Sequence, residues 1–189
     1  MARRRRVWFP GAMYHVTSRG NRKSDIFLDD EDFRTYLNML EEVRSVYLFH
    51  LHSYCLMTNH VHLLLETVDH PLTEIMKMLN FHYAIYFNKR HELVGHVFQD
   101  RYGARLIDDL HHFVVSSRYI HMNPVEASMV DSPEIYPWSS YRAFNSNSDP
   151  HVTTAKLLSN FPEPQIKNYQ RFVLGLPPYG TEEEIELFV

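Results

Sequence analysis

The 189-residue chain has a single cysteine, and no stretch of it approaches the eighteen or so apolar residues that a membrane span needs. One thiol excludes a disulfide framework and a cysteine-based zinc site. That thiol, Cys55, sits in the apolar run Tyr54-Cys55-Leu56-Met57 and reads as a small buried hydrophobe. No internal repeat is visible. The basic N-terminus, Met1-Ala2-Arg3-Arg4-Arg5-Arg6, meets Pro10 and Gly11 where a signal peptide would need an apolar run, so a cytoplasmic location is expected. What is present is ordinary for a folded protein: 44% hydrophobic, 14% aromatic and 22% charged residues, enough to bury a sizeable core.

The net charge is −4, a poor advertisement for a nucleic-acid partner, but the charge is unevenly spread. Seven Lys/Arg and no acid fall within residues 1–23, while the rest of the chain is acidic. A basic arm on an acidic body can still hold a polyanion, because phosphate contacts are local and screening is short-ranged.

Hydrophobic periodicity predicts the order of elements. Residues 12–19 are β-branched and aromatic-rich and read as a strand, followed by a turn at 20–23. Asp29-Asp30 caps a helix of about 18 residues, whose Phe33, Tyr36, Leu37, Leu40 and Val43 recur at three and four. Residues 49–57 and 60–66 form a hairpin across Thr58-Asn59. A second long helix opens at Pro71 to Thr73 and ends between His91 and Gly95. Extended segments follow at Val97-Phe98 and Ala104–Ile107. A third helix starts at Asp108-Asp109 and is expected to end at Pro124. The order β-α-β-β-α-β predicts an α+β, ferredoxin-like (RRM-like) antiparallel sheet with two helices on one face, plus an additional helix. Residues 1–144 are expected to form one domain, and 145–189 a linker and short helical tail.

His60 and His62 stand one residue apart on a predicted strand, so both side chains point to one face and can converge on a cation. His50 and His52 repeat the pattern, so the spacing alone is weak. The third helix adds weight. Tyr119 and Asn123 lie four apart, hence one turn apart on the same face, and an Asn oxygen could join two imidazoles on a metal beside the phenol. The corresponding positions after Tyr36, Tyr83 and Tyr86 hold Leu40, Phe87 and Arg90. Attack of a phenol on a DNA phosphate would give a phosphotyrosine ester that conserves the bond's free energy for rejoining. A divalent cation would serve as Lewis acid and template. Two imidazoles and an amide suit Mg²⁺ or Mn²⁺, with zinc as a rival that ligand identity does not settle.

Five blocks carry a resemblance. They are residues 9–16 (FPGAMYHV), 54–64 (YCLMTNHVHLL), 96–102 (HVFQDRY), 117–125 (SRYIHMNPV) and 136–141 (YPWSSY). Together, and in this order, they resemble the single-tyrosine HUH transposases (transposase IS200-like), nearest to the REP-associated tyrosine transposases, over residues 7 to about 144. The resemblance implies a transposase that cleaves single-stranded DNA beside a hairpin with a divalent metal, Mg²⁺ or Mn²⁺, and transfers the strand through a 5′-phosphotyrosine. It implies Tyr119 as nucleophile, with His60, His62 and Asn123 as metal ligands. It also admits a homodimer. Asp100 stands where the family usually has glycine, and Gly103 where a basic residue is common, and both departures lower positive charge near Arg101 and Arg105. DNA contacts are expected from Arg3, Arg4, Arg5, Arg6, Arg19, Arg22, Lys23, Arg101 and Arg105, with Phe98 or Tyr102 as stacking platforms. Two other readings remain open: a non-catalytic hairpin-binding or regulatory descendant of a transposase, and a zinc-dependent hydrolase in which Tyr119 merely packs.

Overall fold

Alternation along β1 (Met13–Arg19) sets up the architecture: Tyr14, Val16 and Ser18 are buried on one side, and Met13, His15 and Thr17 are half-buried on the other. This is what a strand covered on both faces requires. The computed structural model describes residues 7–145, 149–177 and 179. Arg3, Arg4, Arg5 and Arg6 lie outside the described residues.

After β1 come α1 (Asp30–Val46), β2 (Phe49–Met57), β3 (His60–Thr67), α2 (Leu72–Arg90), β4 (Gly103–Ile107) and α3 (Leu110–Glu126). The tail adds two short helices, α4 (Ala155–Leu158) and α5 (Gln165–Val173). The sheet order is β2-β3-β1-β4, with every pairing antiparallel, which is the expected α+β, ferredoxin-like plan. Of the two extended segments before α3, only the second becomes a strand. Val97-Phe98 contributes a single bridge, Phe98 to Gly20.

The two faces of the sheet bury different cores. Tyr14, Val16, Val61, Leu63 and Leu65 pack on α1 and α2. Cys55, Met57, Leu64 and Ile107 face the other way, onto Phe113 and Ile120 of α3 and onto Leu157, Phe161, Tyr169 and Val173 of the tail. Residues 149–177 thus share a core with the sheet. Cys55 is fully buried, and burial pushes its thiol pKa up, in line with its expected inert role. Among the described residues, no helix is long and apolar enough to cross a membrane.

Helix α3 is anchored at both ends. The Asp109 carboxylate accepts the His112 backbone N–H at 2.6 Å, an N-cap. Pro124 was expected to end the helix, but α3 runs on to Glu126. Pro124 sits in the last turn, where its missing N–H removes one intrahelical bond and little helix remains to disrupt. On its buried side α3 is gripped by later residues. The Arg118 guanidinium donates to the carbonyls of Phe172 and Val173 at 3.1 and 3.0 Å. His121 spans Ser140 Oγ at 2.8 Å and the Tyr169 hydroxyl at 2.7 Å.

Candidate active site

The strand register delivers two imidazoles to the sheet face beneath α3. On β3, His60 lies opposite Arg19 and His62 opposite Thr17 of β1. Their rings stand with centroids 4.9 Å apart, tilted by 80°, as neighbours on one strand face should. The Tyr119 ring on α3 lies 5.5 Å from that of His62, and the residue is 43% exposed, enough to meet a ligand from solvent. Among the described residues, no hydrogen bond engages the Tyr119 hydroxyl.

Asn123 completes the cluster one turn along α3. Its Nδ2 donates to the Tyr119 carbonyl at 2.7 Å, which leaves the amide oxygen as the group that can accept from a neighbour or meet a cation. The Asn123 amide also opposes the downward pKa shift of both His60 and His62, which places it beside the two rings.

Electrostatics keep the imidazoles neutral. Burial lowers His62 to about 3, and the neighbouring His15, His60 and Arg19 push the same way. His60 is lowered by burial and by Arg19. A neutral imidazole is the form that binds metal. One atom stands out: His62 Nε2 is buried and has no hydrogen-bond partner, although buried polar atoms are nearly always paired. A lone pair held dry, beside a second imidazole and an amide oxygen, fits a cation. Among the described residues, no group of three His, Cys, Asp or Glu side chains is placed to hold one, and the Asn123 amide is the neutral polar group beside the two imidazoles.

The expected basic residues divide between the two sides of the sheet. Arg19 bears on both imidazoles, and Arg105 lies in register opposite His15. Arg22 and Lys23 occupy the turn after β1, both with positive φ. Arg101 lines a cavity of about 610 Å³ between α2 and residues 95–102, on the opposite side of the sheet. Phe98 lines the same cavity, whereas Tyr102 is buried and offers no open stacking face. Gly103 has a local reason: a Cβ there would come within 2.6 Å of Thr17 Oγ1, so a basic side chain would first have to displace Thr17.

The model of the family described as "Transposase IS200 like" matches residues 9–123. The chain belongs to the IS200-like transposase family. As a member of it, the chain is a DNA-processing protein, and the matched segment spans both histidines, Tyr119 and Asn123. Among solved structures, the fold is similar to that of a REP-associated tyrosine transposase bound to a REP hairpin, with a TM-score of 0.65 and 17% identity. That alignment covers 83% of this chain and 93% of the other. A Deinococcus radiodurans protein described as a transposase aligns at a TM-score of 0.45 and 14% identity, over 68% of this chain and 94% of its own. No curated protein matches the chain in sequence.

Sequence reasoning overlooked one residue of this IS200-like site. His15 Nε2 lies 2.9 Å from His62 Nδ1, and its ring stands 5.6 Å from that of Tyr119. Burial, with His112 and Arg105, lowers its pKa to about 4. The available signal was parity: His15 follows and precedes core residues on β1, so it had to face the same side as Met13 and Thr17.

Proposed function

We propose that this transposase cleaves and rejoins single-stranded DNA beside a hairpin, with Tyr119 as nucleophile and His60, His62 and Asn123 as ligands of Mg²⁺ or Mn²⁺. The observation that carries the reading is the partnerless His62 Nε2, held under an exposed tyrosine and beside a second imidazole and an amide oxygen. When bound, a divalent cation would supply Lewis-acid polarisation of a phosphate oxygen.

The chain's own groups account for the rest. The Tyr119 hydroxyl attacks phosphorus, the bond from phosphorus to the 3′ oxygen breaks, and the phenol proton leaves to solvent. The departing 3′ oxygen takes up a proton, and a 5′-phosphotyrosine remains. Attack by another 3′ hydroxyl reverses these steps and restores the phenol, so no bond energy is lost to water. Arg19 and Arg105 flank the imidazoles and can hold phosphates on either side of the scissile one; Arg22, Lys23 and the N-terminal arginines would extend the track, and Arg101, across the sheet, would meet only DNA that passes around its edge. Residues 1–144 carry the chemistry, and the tail braces α3 from behind. All four site residues come from a single chain, so a homodimer is not needed to complete the site.

Incubation with hairpin-bearing single-stranded oligonucleotides and Mn²⁺ tests this on a denaturing gel. A covalent adduct is expected from the wild type and none from Tyr119→Phe. Binding without cleavage would favour a regulatory descendant, and cleavage that survives Tyr119→Phe would favour a hydrolase.

A further inference from the structure

We infer that His15 and Asn59 are positioning residues that lock His62 and His60 in the tautomer whose Nε2 lone pair faces the site. The inference rests on the metal reading above and deepens it. A neutral imidazole carries one proton on two nitrogens, so only one of them can ligate, and the hydrogen bond made by the other decides which.

His60 is the simpler case. Its Nδ1 lies 2.6 Å from Asn59 Oδ1. The Asn59 amide is oriented independently, because its Nδ2 donates to the Lys23 carbonyl at 3.2 Å. Its oxygen is therefore the acceptor, and the His60 proton must sit on Nδ1. The turn between β2 and β3 thus does more than reverse the chain.

His62 is held from across the sheet. His15 lies opposite Leu64 on β3, on the same face as His62 and diagonal to it. The 2.9 Å contact between His15 Nε2 and His62 Nδ1 can hold only one proton between two neutral rings. If His15 donates, the His62 proton moves to Nε2, a buried atom whose one polar neighbour, the Asn123 amide, is not placed to form a hydrogen bond of good geometry with it. If His62 donates, Nε2 keeps a bare lone pair. A buried N–H without an acceptor is the costlier and rarer defect. The second arrangement therefore holds, and His62 presents Nε2 as His60 does. The same rings could not be held this way by residues near them in sequence alone: Asn59 adjoins His60, but His15 reaches His62 only through the β1–β3 register.

Side-chain nitrogen NMR of the metal-free protein reads this directly. Both His60 and His62 should show the proton on Nδ1. In His15→Phe, which removes the acceptor and keeps a ring, His62 should become a tautomer mixture while His60 is unchanged. Asn59→Ala should do the reverse. In calorimetric titration, Mn²⁺ affinity should fall about 10- to 100-fold in His15→Phe. His15→Gln, whose amide oxygen can accept, should recover most of it. A wild-type His62 protonated on Nε2, or Mn²⁺ bound measurably and with equal affinity by wild type and His15→Phe, would overturn the inference. A wild type that binds no Mn²⁺ yet keeps the Nδ1 proton and loses it in His15→Phe supports the positioning and overturns the metal reading instead.

Discussion

Two His-x-His pairs share one face of this sheet, under different turns of the same helix, and their nitrogens are engaged differently. His50 and His52 lie on β2 beside a register shift between Leu51 and Ser53, with ring centroids 6.4 Å apart. His50 is exposed, and His52 is 1% exposed beneath Phe113. Both His52 nitrogens are engaged, Nε2 with Glu66 Oε2 at 2.8 Å and Nδ1 with the Thr153 carbonyl at 3.3 Å. Glu66 is in turn paired with Lys156 of the tail. The His60/His62 pair keeps a nitrogen unspent and turns it toward Tyr119 and Asn123. Identical spacing gives a fastener in one place and an open site in the other. What differs is the residue waiting across the strands: a carboxylate and a tail carbonyl for His52, another imidazole for His62.

The sharpest break of this comparison is to remove one histidine from each pair. His62→Ala should reduce covalent adduct formation by about a thousandfold or more, the scale on which catalytic groups that act as a unit fail. His52→Ala should leave the adduct yield of the folded protein within about threefold, with its cost read as a lower melting temperature, about 1–3 kcal/mol for a half-buried carboxylate that loses a partner. Quantified gels and thermal melts of both variants decide it. Equal loss of adduct in the two would mean that the pairs are not functionally distinct.

The separation of the two pairs was only partly legible in the sequence. Strand parity placed His60 and His62 on one face, and the four-residue step from Tyr119 to Asn123 placed phenol and amide on one side of a helix, because both depend on local geometry alone. The register of β1 against β3 does not. His15 and His62 are 47 residues apart, and a slip of one residue would have put them on opposite faces. The division of the basic residues failed to show for the same reason: Arg19 and Arg105 flank the imidazoles while Arg101 faces α2, a distinction that charge counting cannot make. The end of α3 lies past Pro124 because the last turn is closed by the Ala127 N–H on the Asn123 carbonyl and the Met129 N–H on the Pro124 carbonyl, neither of which needs the missing proline N–H.

Acid should separate the pairs next, with a smaller effect. An unfolded histidine titrates near 6.5, but His15 and His62 are lowered to about 4 and about 3, chiefly by burial. Depressed folded values mean that the unfolded chain takes up protons first as pH falls. Stability from these groups is therefore fully present above pH 6.5 and lost progressively below it, by up to about 2 kcal/mol per imidazole at pH 5. Metal-free thermal melts between pH 7.5 and 5 should fall accordingly, and His62→Gln should flatten the slope. His52 is lowered by burial too, but Glu66 opposes the shift, so His52→Gln should change the slope less. A melting temperature that stays constant from pH 6.5 to 5 would contradict the burial of charge-averse rings at the site.

The smallest effect expected is that of Glu66→Gln. The amide keeps an acceptor for His52 but ends the ion pair with Lys156, whose side chain is 47% exposed. Pairs so open to solvent contribute about 1 kcal/mol or less, so the variant should melt only slightly lower than the wild type in low salt and match it in high salt. Adduct formation should not change, because Glu66 reaches the tail and His52 but neither imidazole of the site. If Glu66→Gln instead lowered adduct yield without lowering stability, the fastening end of the sheet would have to communicate with the reactive end. The carrier would be α3, which packs on His52 through Phe113 and on His62 through Tyr119, and the two histidine pairs would then be parts of one device rather than two.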